Sequence, residues 1–323
     1  MERDTFHRVL GDQQHRVYNH ALRCLRDPDD AADVTQEAFL RLWRHAPDVE
    51  DQRLAAWLTR EGIIAQEAYD ARKIARRPAM PRKMVASVLT GIGLAAAVAL
   101  AEAGAHVIMA ARGLEKLEAA VSAVQEKGHS AEARAMDIAD IAALPRHLEE
   151  IGPLDVLVNS AGIARHTPAV ETTPEDYDAV SDINVRGAYF LSVGAAKGMM
   201  AAGIKGSIIN VTSQMGHIGG IDRAVYCGTK HAVEGFTKAM AIEFGPHGIR
   251  INTLAPTFIR TPLADQVLQD AEYRQAVLDR TPMGRVGEVE ECARAIAFLA
   301  LPAASYITGA CLPVDGGFSV YGF

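Results

Sequence analysis

Downstream of residue 82, short β-branched runs alternate with helix-length segments, and that alternation leaves few folds open. HVIMAAR precedes LEKLEAAVSAVQEKG, SAEARAMDIAD follows, and LDVLVNSAG precedes the helical stretch DYDAVSDINVRGAYFLSVGAAKGMM. GSIINVTS leads into YCGTKHAVEGFTKAMAIEFG, and IRINTLAP and ITGACLPVDGG complete the series. Strand–helix alternation of this kind builds βαβ units, which predicts an α/β fold with a doubly wound parallel sheet. Ligands of open α/β sheets sit in the crevice outside the carboxyl ends of the strands. The strand-end positions Asp137, Asn159, Ser213 and Pro256 are therefore expected to converge on one crevice.

Ser213, in NVTSQMG, stands thirteen residues before Tyr226, and Lys230 follows four residues later in YCGTK. Residues four apart on a helix share a face. A cationic lysine beside a phenol favours phenolate and lowers its pKa, so the tyrosine can exchange a proton near neutral pH. A serine arriving from a neighbouring strand end would hold the substrate oxygen. Taken alone, Tyr-x-x-x-Lys also describes an ordinary helix surface, and its neighbours give it meaning.

Those neighbours are NSAG at 159–162, INVRG around Asn184, APTFIRTP at 255–262 and the closing VDGG. In this order, together with Ser213, Tyr226 and Lys230, they closely resemble the short-chain dehydrogenase/reductase family over residues 82–323. The resemblance implies a Rossmann-like fold, a nicotinamide cofactor, interconversion of a secondary alcohol and a ketone, and a homodimer or homotetramer. It implies that Tyr226 is the general acid in reduction and base in oxidation, and that Ser213 polarises the reacting oxygen. Lys230 would lower the tyrosine pKa and bond the nicotinamide ribose, and Asn184 would hold a water linking Lys230 to solvent. It makes Asp137 the adenine contact and Asn159, Ala161 and Gly162 the turn against the cofactor. Pro256 and Thr261 join the cofactor-binding set, Thr261 at the carboxamide or pyrophosphate.

NAD sites present an acidic side chain at the end of the second strand for the ribose hydroxyls. Ala111 stands there, with Arg112 next. An uncharged residue leaves room for a 2′-phosphate and a guanidinium pairs with it, so NADP is expected, with NAD as the alternative. The family's glycine-rich pattern TGxxxGxG is altered in MVASVLTGIGLAAAVALAEAG. One alignment takes Thr90-Gly91 as the strand end and Ile92-Gly93 as the helix start, with about four residues missing. The other takes Ala86 and Ser87 for the Thr-Gly pair and Gly91-Ile92-Gly93 for the remainder, leaving little first strand. The shortened loop is preferred, because MVASVL then forms a buried strand. Gly91, Ile92 and Gly93 are the expected pyrophosphate contacts, with weakened affinity.

The first 78 residues differ in kind. They are arginine- and aspartate-rich helical patterns with no convincing strand, and IARRPAMPRK reads as a linker. They are expected to form a small all-helical domain over 1–78, ahead of the cofactor-binding domain at 79–323. Phe39, Trp43 and Trp57 suit core packing, and Arg72, Lys73, Arg76 and Arg77 a basic helix end. HRVYNHALRCLRDPDDAADVTQEAFLRLWRH and AAWLTR resemble the second conserved region of extracytoplasmic-function RNA polymerase sigma factors. That resemblance implies a polymerase-gripping helix carrying Asp33, Gln36, Glu37, Arg41 and Trp43, and promoter contact near Arg72, Arg76 and Arg77. The family's C-terminal helix-turn-helix region has no counterpart here. A second reading follows: a cofactor-impaired, non-enzymatic fusion that binds RNA polymerase or promoter DNA.

A formal net charge of -7 argues against a dominant nucleic-acid surface. Cys24, Cys227, Cys292 and Cys311 lack metal-ligand or disulfide-framework spacing, so no metal site is expected. No apolar signal segment opens the chain, and a cytoplasmic location is expected. The uncharged run from Met84 to Ala101 nearly reaches spanning length, but Thr90, Gly91 and Gly93 break it where a strand-to-helix turn would fall. The expected substrate walls are Arg165, His166, Gln214, Met215, His217, Phe258 and Arg260. This polar set favours a sugar, polyol or sugar acid over a β-keto acyl substrate.

Overall fold

The computed structural model describes residues 83–87 and 91–320, together with Tyr18, Asn19 and Leu22, which are helical. The other helices expected between residues 6 and 77, and the linker, lie outside the described residues. The chain divides into two units, Met1–Ala79 and Met80–Phe323.

Seven parallel strands form the centre of the second unit. They are β1 (Lys83–Ser87), β2 (His106–Ala111), β3 (Ala131–Ala135), β4 (Val156–Asn159), β5 (Ser207–Val211), β6 (Arg250–Pro256) and β7 (Cys311–Val314). Their order is β3-β2-β1-β4-β5-β6-β7, so the winding reverses between β1 and β4. All six pairings are parallel. A crossover reversal of this kind opens a crevice at the carboxyl edge.

The core follows from the period-2 alternation of these strands. Met84, Ala86, Val107, Met109, Val156 and Val158 face one layer with α1 (Ile92–Glu102), α2 (Leu114–Gln125) and α9 (Val289–Ala300). Val85, Ile108, Leu157, Ile208 and Ile251 face the other. That layer holds α3 (Leu144–Ile151), α5 (Ala188–Ala201) and α6 (Ala224–Phe244). Burial on both faces explains why the strands carry near-continuous apolar runs. Among the described residues of this unit, α4 (Pro174–Ser181), α7 (Pro262–Val267) and α8 (Ala271–Asp279) complete the α-helices. Thr173 caps α4 by accepting from the Asp176 N–H at 3.1 Å, and Pro174 at the first helical position needs no hydrogen-bond acceptor.

The expectation of a shortened glycine-rich loop is overturned. Strand β1 ends at Ser87 and α1 begins at Ile92, so the four positions 88–91 separate them and the family spacing is kept. Ala86 and Ser87 thus take the Thr-Gly positions. The strand is longer at its start than expected, because it begins at Lys83, whose N–H donates to Asp155 Oδ2 at 2.8 Å. The apolar run from Met84 to Ala101 is divided between β1 and α1. Among the described residues no helix is long and apolar enough to cross a membrane.

Leu157, at the middle of central β4, is fully buried. Leu157→Ala is expected to cost about 2–5 kcal/mol of stability, measured as a lower denaturant midpoint. An unchanged midpoint would contradict its place in the core.

Candidate active site

Helix α6 carries Tyr226 in its first turn and Lys230 one turn later. Its buried face runs Cys227, Lys230, Val233, Glu234, Thr237, Met240, Ala241 and Phe244, a helical repeat with two charged groups inside it. Lys230 is 5% exposed, and its Nζ donates to the Val211 carbonyl, the last residue of β5, at 3.1 Å. Two residues beyond, Ser213 opens a short 3₁₀ turn over Gln214–Gly216, and its Oγ accepts from the Met215 N–H at 3.1 Å. The strand end and the helix therefore deliver Ser213 and Tyr226 to one place, where Ser213 acts to lower the phenol's pKa.

The electrostatics differ from the expectation in one respect. Burial raises the Tyr226 phenol above its usual value, opposed by the hydrogen bond with Ser213 and by Arg223. Lys230, the group expected to lower it, is held by strand β5. Its Nζ lies 5.6 Å from the ring centroid and is engaged with Val211. Burial also pulls Lys230 down to about 8, with Glu234 opposing. The same desolvation acts on both groups and disfavours charge on each.

Asn184 sits in a π-helical segment, Asp182–Gly187, between α4 and α5. Such bulges re-aim a side chain out of regular helix spacing. Its Oδ1 accepts from the Ile163 N–H at 2.9 Å, and its Nδ2 donates to the Ile163 carbonyl at 2.9 Å and to Thr229 Oγ1 at 3.2 Å. Asn184 thus ties the turn after β4 to α6. Gly162 lies between them: a Cβ there would come within 3.3 Å of Asn184 Oδ1 and 3.5 Å of Lys230 Nζ.

The expected cofactor positions line the carboxyl edge. Asn159 ends β4, donating to Asn210 Oδ1 at 3.0 Å while its Oδ1 accepts from the Ala161 N–H at 3.3 Å. Asp137 lies two residues past β3 and its Oδ1 accepts from the Ala139 N–H at 3.0 Å. Pro256 is the buried last residue of β6. Thr261 caps α7, accepting from the Ala264 N–H at 3.2 Å. Gly91, at φ 64, starts α1 with Ile92 and Gly93 behind it, and a Cβ on it would meet Thr261 Cγ2 at 2.7 Å. Only glycine suits both that angle and that approach.

These residues fit a dinucleotide. The N-terminus of α1 has no side-chain cap and no acidic residue in its first turn, which leaves backbone N–H groups for a phosphate. At the end of β2, Ala111 is buried and uncharged and Arg112 is exposed.

The expected substrate walls divide. His166 stands edge-on to Tyr226 with ring centroids 6.5 Å apart, and burial and Arg223 keep its pKa below the usual value. Arg165 pairs with Asp176, and Arg260 with Glu288 at 3.0 Å. His217 turns away to Cys311 and Glu234 instead of presenting Nε2 to a ligand. Sequence reasoning missed three tethers: Thr229 under Asn184, Glu234 under Thr212 and Thr253, and Arg223, which donates to Tyr273 Oη at 3.2 Å. Glu234, four residues after Lys230, was within reach of helical spacing; the others join distant segments.

Fold and site together define a nucleotide-binding α/β oxidoreductase with a Ser–Tyr–Lys centre. The chain belongs to the short-chain dehydrogenase/reductase family of NAD(P)-dependent enzymes; the matching family model, described as enoyl-(acyl carrier protein) reductase, spans residues 86–319. A second model, Sigma-70 region 2, matches residues 12–77. The L-xylulose reductase of Bos taurus is 39% identical over 237 residues, covering 73% of this chain and 96% of that protein. The gluconate 5-dehydrogenase of Gluconobacter oxydans (strain 621H) is 36% identical over 246 residues, covering 74% and 94%. Among solved structures, a gluconate 5-dehydrogenase from Burkholderia cenocepacia J2315, in complex with NADP and tartrate, has a TM-score of 0.71. It is 34% identical, with 74% of this chain and 95% of that one covered.

A lysine whose folded pKa is lowered binds fewer protons than in the unfolded chain between the two values, so its contribution to stability rises with pH there. For Lys230 the window runs from about 8 to 10.5. The cofactor-free protein should therefore gain stability relative to Lys230→Met across that window, read from paired denaturant midpoints. A constant difference would exclude the burial-depressed lysine.

Proposed function

We propose that this chain is an NADP(H)-preferring reductase of a small polyhydroxylated ketone, a sugar, polyol or sugar acid, with Tyr226 as the proton donor. The observation that carries this reading is the convergence of Ser213, Tyr226 and Lys230 between β5 and α6, with Asn184 tying the cofactor turn to the same helix. The names of the relatives, L-xylulose reductase and gluconate 5-dehydrogenase, support the substrate class. The NADP in the Burkholderia structure and the Ala111-Arg112 pair support the cofactor.

When bound, the nicotinamide supplies the hydride for the carbonyl carbon. Ser213 Oγ holds the carbonyl oxygen, and the Tyr226 hydroxyl gives that oxygen its proton. The raised phenol keeps this proton through neutral pH, which suits reduction. Transfer leaves a phenolate, and the Lys230 ammonium one turn along α6 is the cation that meets it. Asn184 acts as a positioning residue, because its side chain is already bonded to Ile163 and Thr229. His166 at the mouth, with Gln214 and Met215 beside Ser213, would meet substrate hydroxyls. Arg165 and Arg260 are held by carboxylates, so they shape the rim instead of binding an acid directly.

A homodimer or homotetramer is also inferred, supported by family membership and by exposed Tyr189, Phe190 and Ile242 on α5 and α6. The non-enzymatic reading loses its main support, since the spacing of the glycine-rich segment is intact. Contact with RNA polymerase or promoter DNA rests on the match to residues 12–77 alone.

Tyr226→Phe should lower kcat for NADPH-dependent reduction of L-xylulose or a keto-gluconate by about 10²–10⁴-fold, with the NADPH dissociation constant unchanged. Full turnover in that variant, or preference for an acetoacetyl thioester over every sugar ketone, would sink the proposal. Ala111→Asp places a carboxylate where the 2′-phosphate would lie. It should weaken NADPH about tenfold or more, in line with losing a charged hydrogen bond, and favour NADH. Equal NADPH affinity in wild type and variant, by fluorescence titration, would overturn the assignment of the phosphate pocket.

A further inference from the structure

We propose that His217, Glu234 and Cys311 form a zinc-binding site that joins the loop after Ser213 to helix α6 and to the edge strand β7. The three side chains come from segments up to 94 residues apart, so no local spacing announces them. His217 Nε2 lies 3.0 Å from Cys311 Sγ and 3.5 Å from Glu234 Oε1, and all three ligand atoms fall within 4.8 Å of one another. Tetrahedral zinc, with bonds of about 2.3 Å to sulfur and 2.0–2.2 Å to nitrogen or oxygen, spaces its ligand atoms about 3.3–3.7 Å apart. Shifts of less than about 1 Å per side chain bring the cluster to that geometry.

The pattern of contacts separates this reading from a nucleophile–base–acid relay. A relay histidine uses one ring nitrogen for each neighbour. Here the thiol and the carboxylate both approach Nε2, so three donors converge on one point. Glu234 is buried, its Oε1 accepts from Thr212 Oγ1 at 2.6 Å, and its Oε2 from Thr253 Oγ1 at 2.7 Å. These hydroxyls orient the carboxylate as an outer shell orients a metal ligand. They cancel none of its charge, which a buried carboxylate needs. Lys230, one turn along the helix, feels that charge, while its Nζ donates to the Val211 carbonyl. A nitrogen, a thiolate and a carboxylate are the borderline donor set that suits zinc and disfavours magnesium or calcium. One thiolate, one carboxylate and a neutral imidazole also leave the ion electrically neutral. The His217 side chain is 35% exposed, which gives a metal ion access from solvent.

The proposal is independent of the reductase reading. Its test uses the full-length, tag-free protein after chelator treatment, titrated with Co²⁺ and then Zn²⁺. One equivalent of Co²⁺ should give a thiolate-to-cobalt charge-transfer band with tetrahedral d–d bands, and Zn²⁺ should bleach both. Cys311→Ser should lose the charge-transfer band, while Cys24→Ser, Cys227→Ser and Cys292→Ser keep it. His217→Ala, at a partly exposed position, should fold, bind at least about tenfold more weakly, and lose the zinc-dependent rise in Tm. No band at one equivalent, or a band that survives Cys311→Ser, overturns the site. If Cys311→Ser does not fold, His217→Ala decides: wild-type cobalt affinity there overturns it equally.

Discussion

Two opposite charges buried one turn apart on α6 set the position of the proposed catalytic groups. Lys230 donates to the last carbonyl of β5, and Glu234 accepts from Thr212 just past β5 and from Thr253 within β6. Burying either group alone would carry a desolvation penalty of several kcal/mol. Each is bonded to the sheet instead, and the two together fix the rotation and height of α6 against β5 and β6. Apolar packing by Val233, Met240 and Phe244 supplies adhesion but tolerates sliding; hydrogen bonds of about 3 Å do not. Tyr226 inherits its position from this registration, as does the contact with Ser213. A second tie, from Asn184 to Thr229, registers the turn after β4 against the same helix.

Much of this was legible in the sequence because buried parallel strands are written as apolar runs, and every strand expected from such a run is present. Ser213, Tyr226 and Lys230 were legible because a helix converts a spacing of four into one face. The glycine-rich segment was misjudged for a physical reason. The pair Thr90-Gly91 imitates the strand-end signal, while Lys83 hardly announces a buried strand. In the structure, Lys83 starts β1 because Asp155 takes its N–H and the Ile151 carbonyl takes its Nζ. Two partners distant in sequence thus satisfy a residue that local propensity would leave outside. The depression of Tyr226 by Lys230 was likewise read from proximity without the burial that opposes it. The cluster of His217, Glu234 and Cys311 was illegible, since only the pairing of β6 with β7 brings Cys311 beside α6.

The opposed shifts of Tyr226 and Lys230 can be weighed against one another. Burial raises the phenol and lowers the amine, so each separately resists charge. In the proposed reduction, however, proton transfer to a carbonyl oxygen creates the phenolate beside an ammonium that is already mostly protonated below pH 8. The lysine thus does little for the resting phenol and much for the phenolate, so its effect falls on the transition state rather than the ground state. An interaction stronger in the transition state is the kind that raises kcat, and the buried registration of α6 holds it in place before substrate arrives.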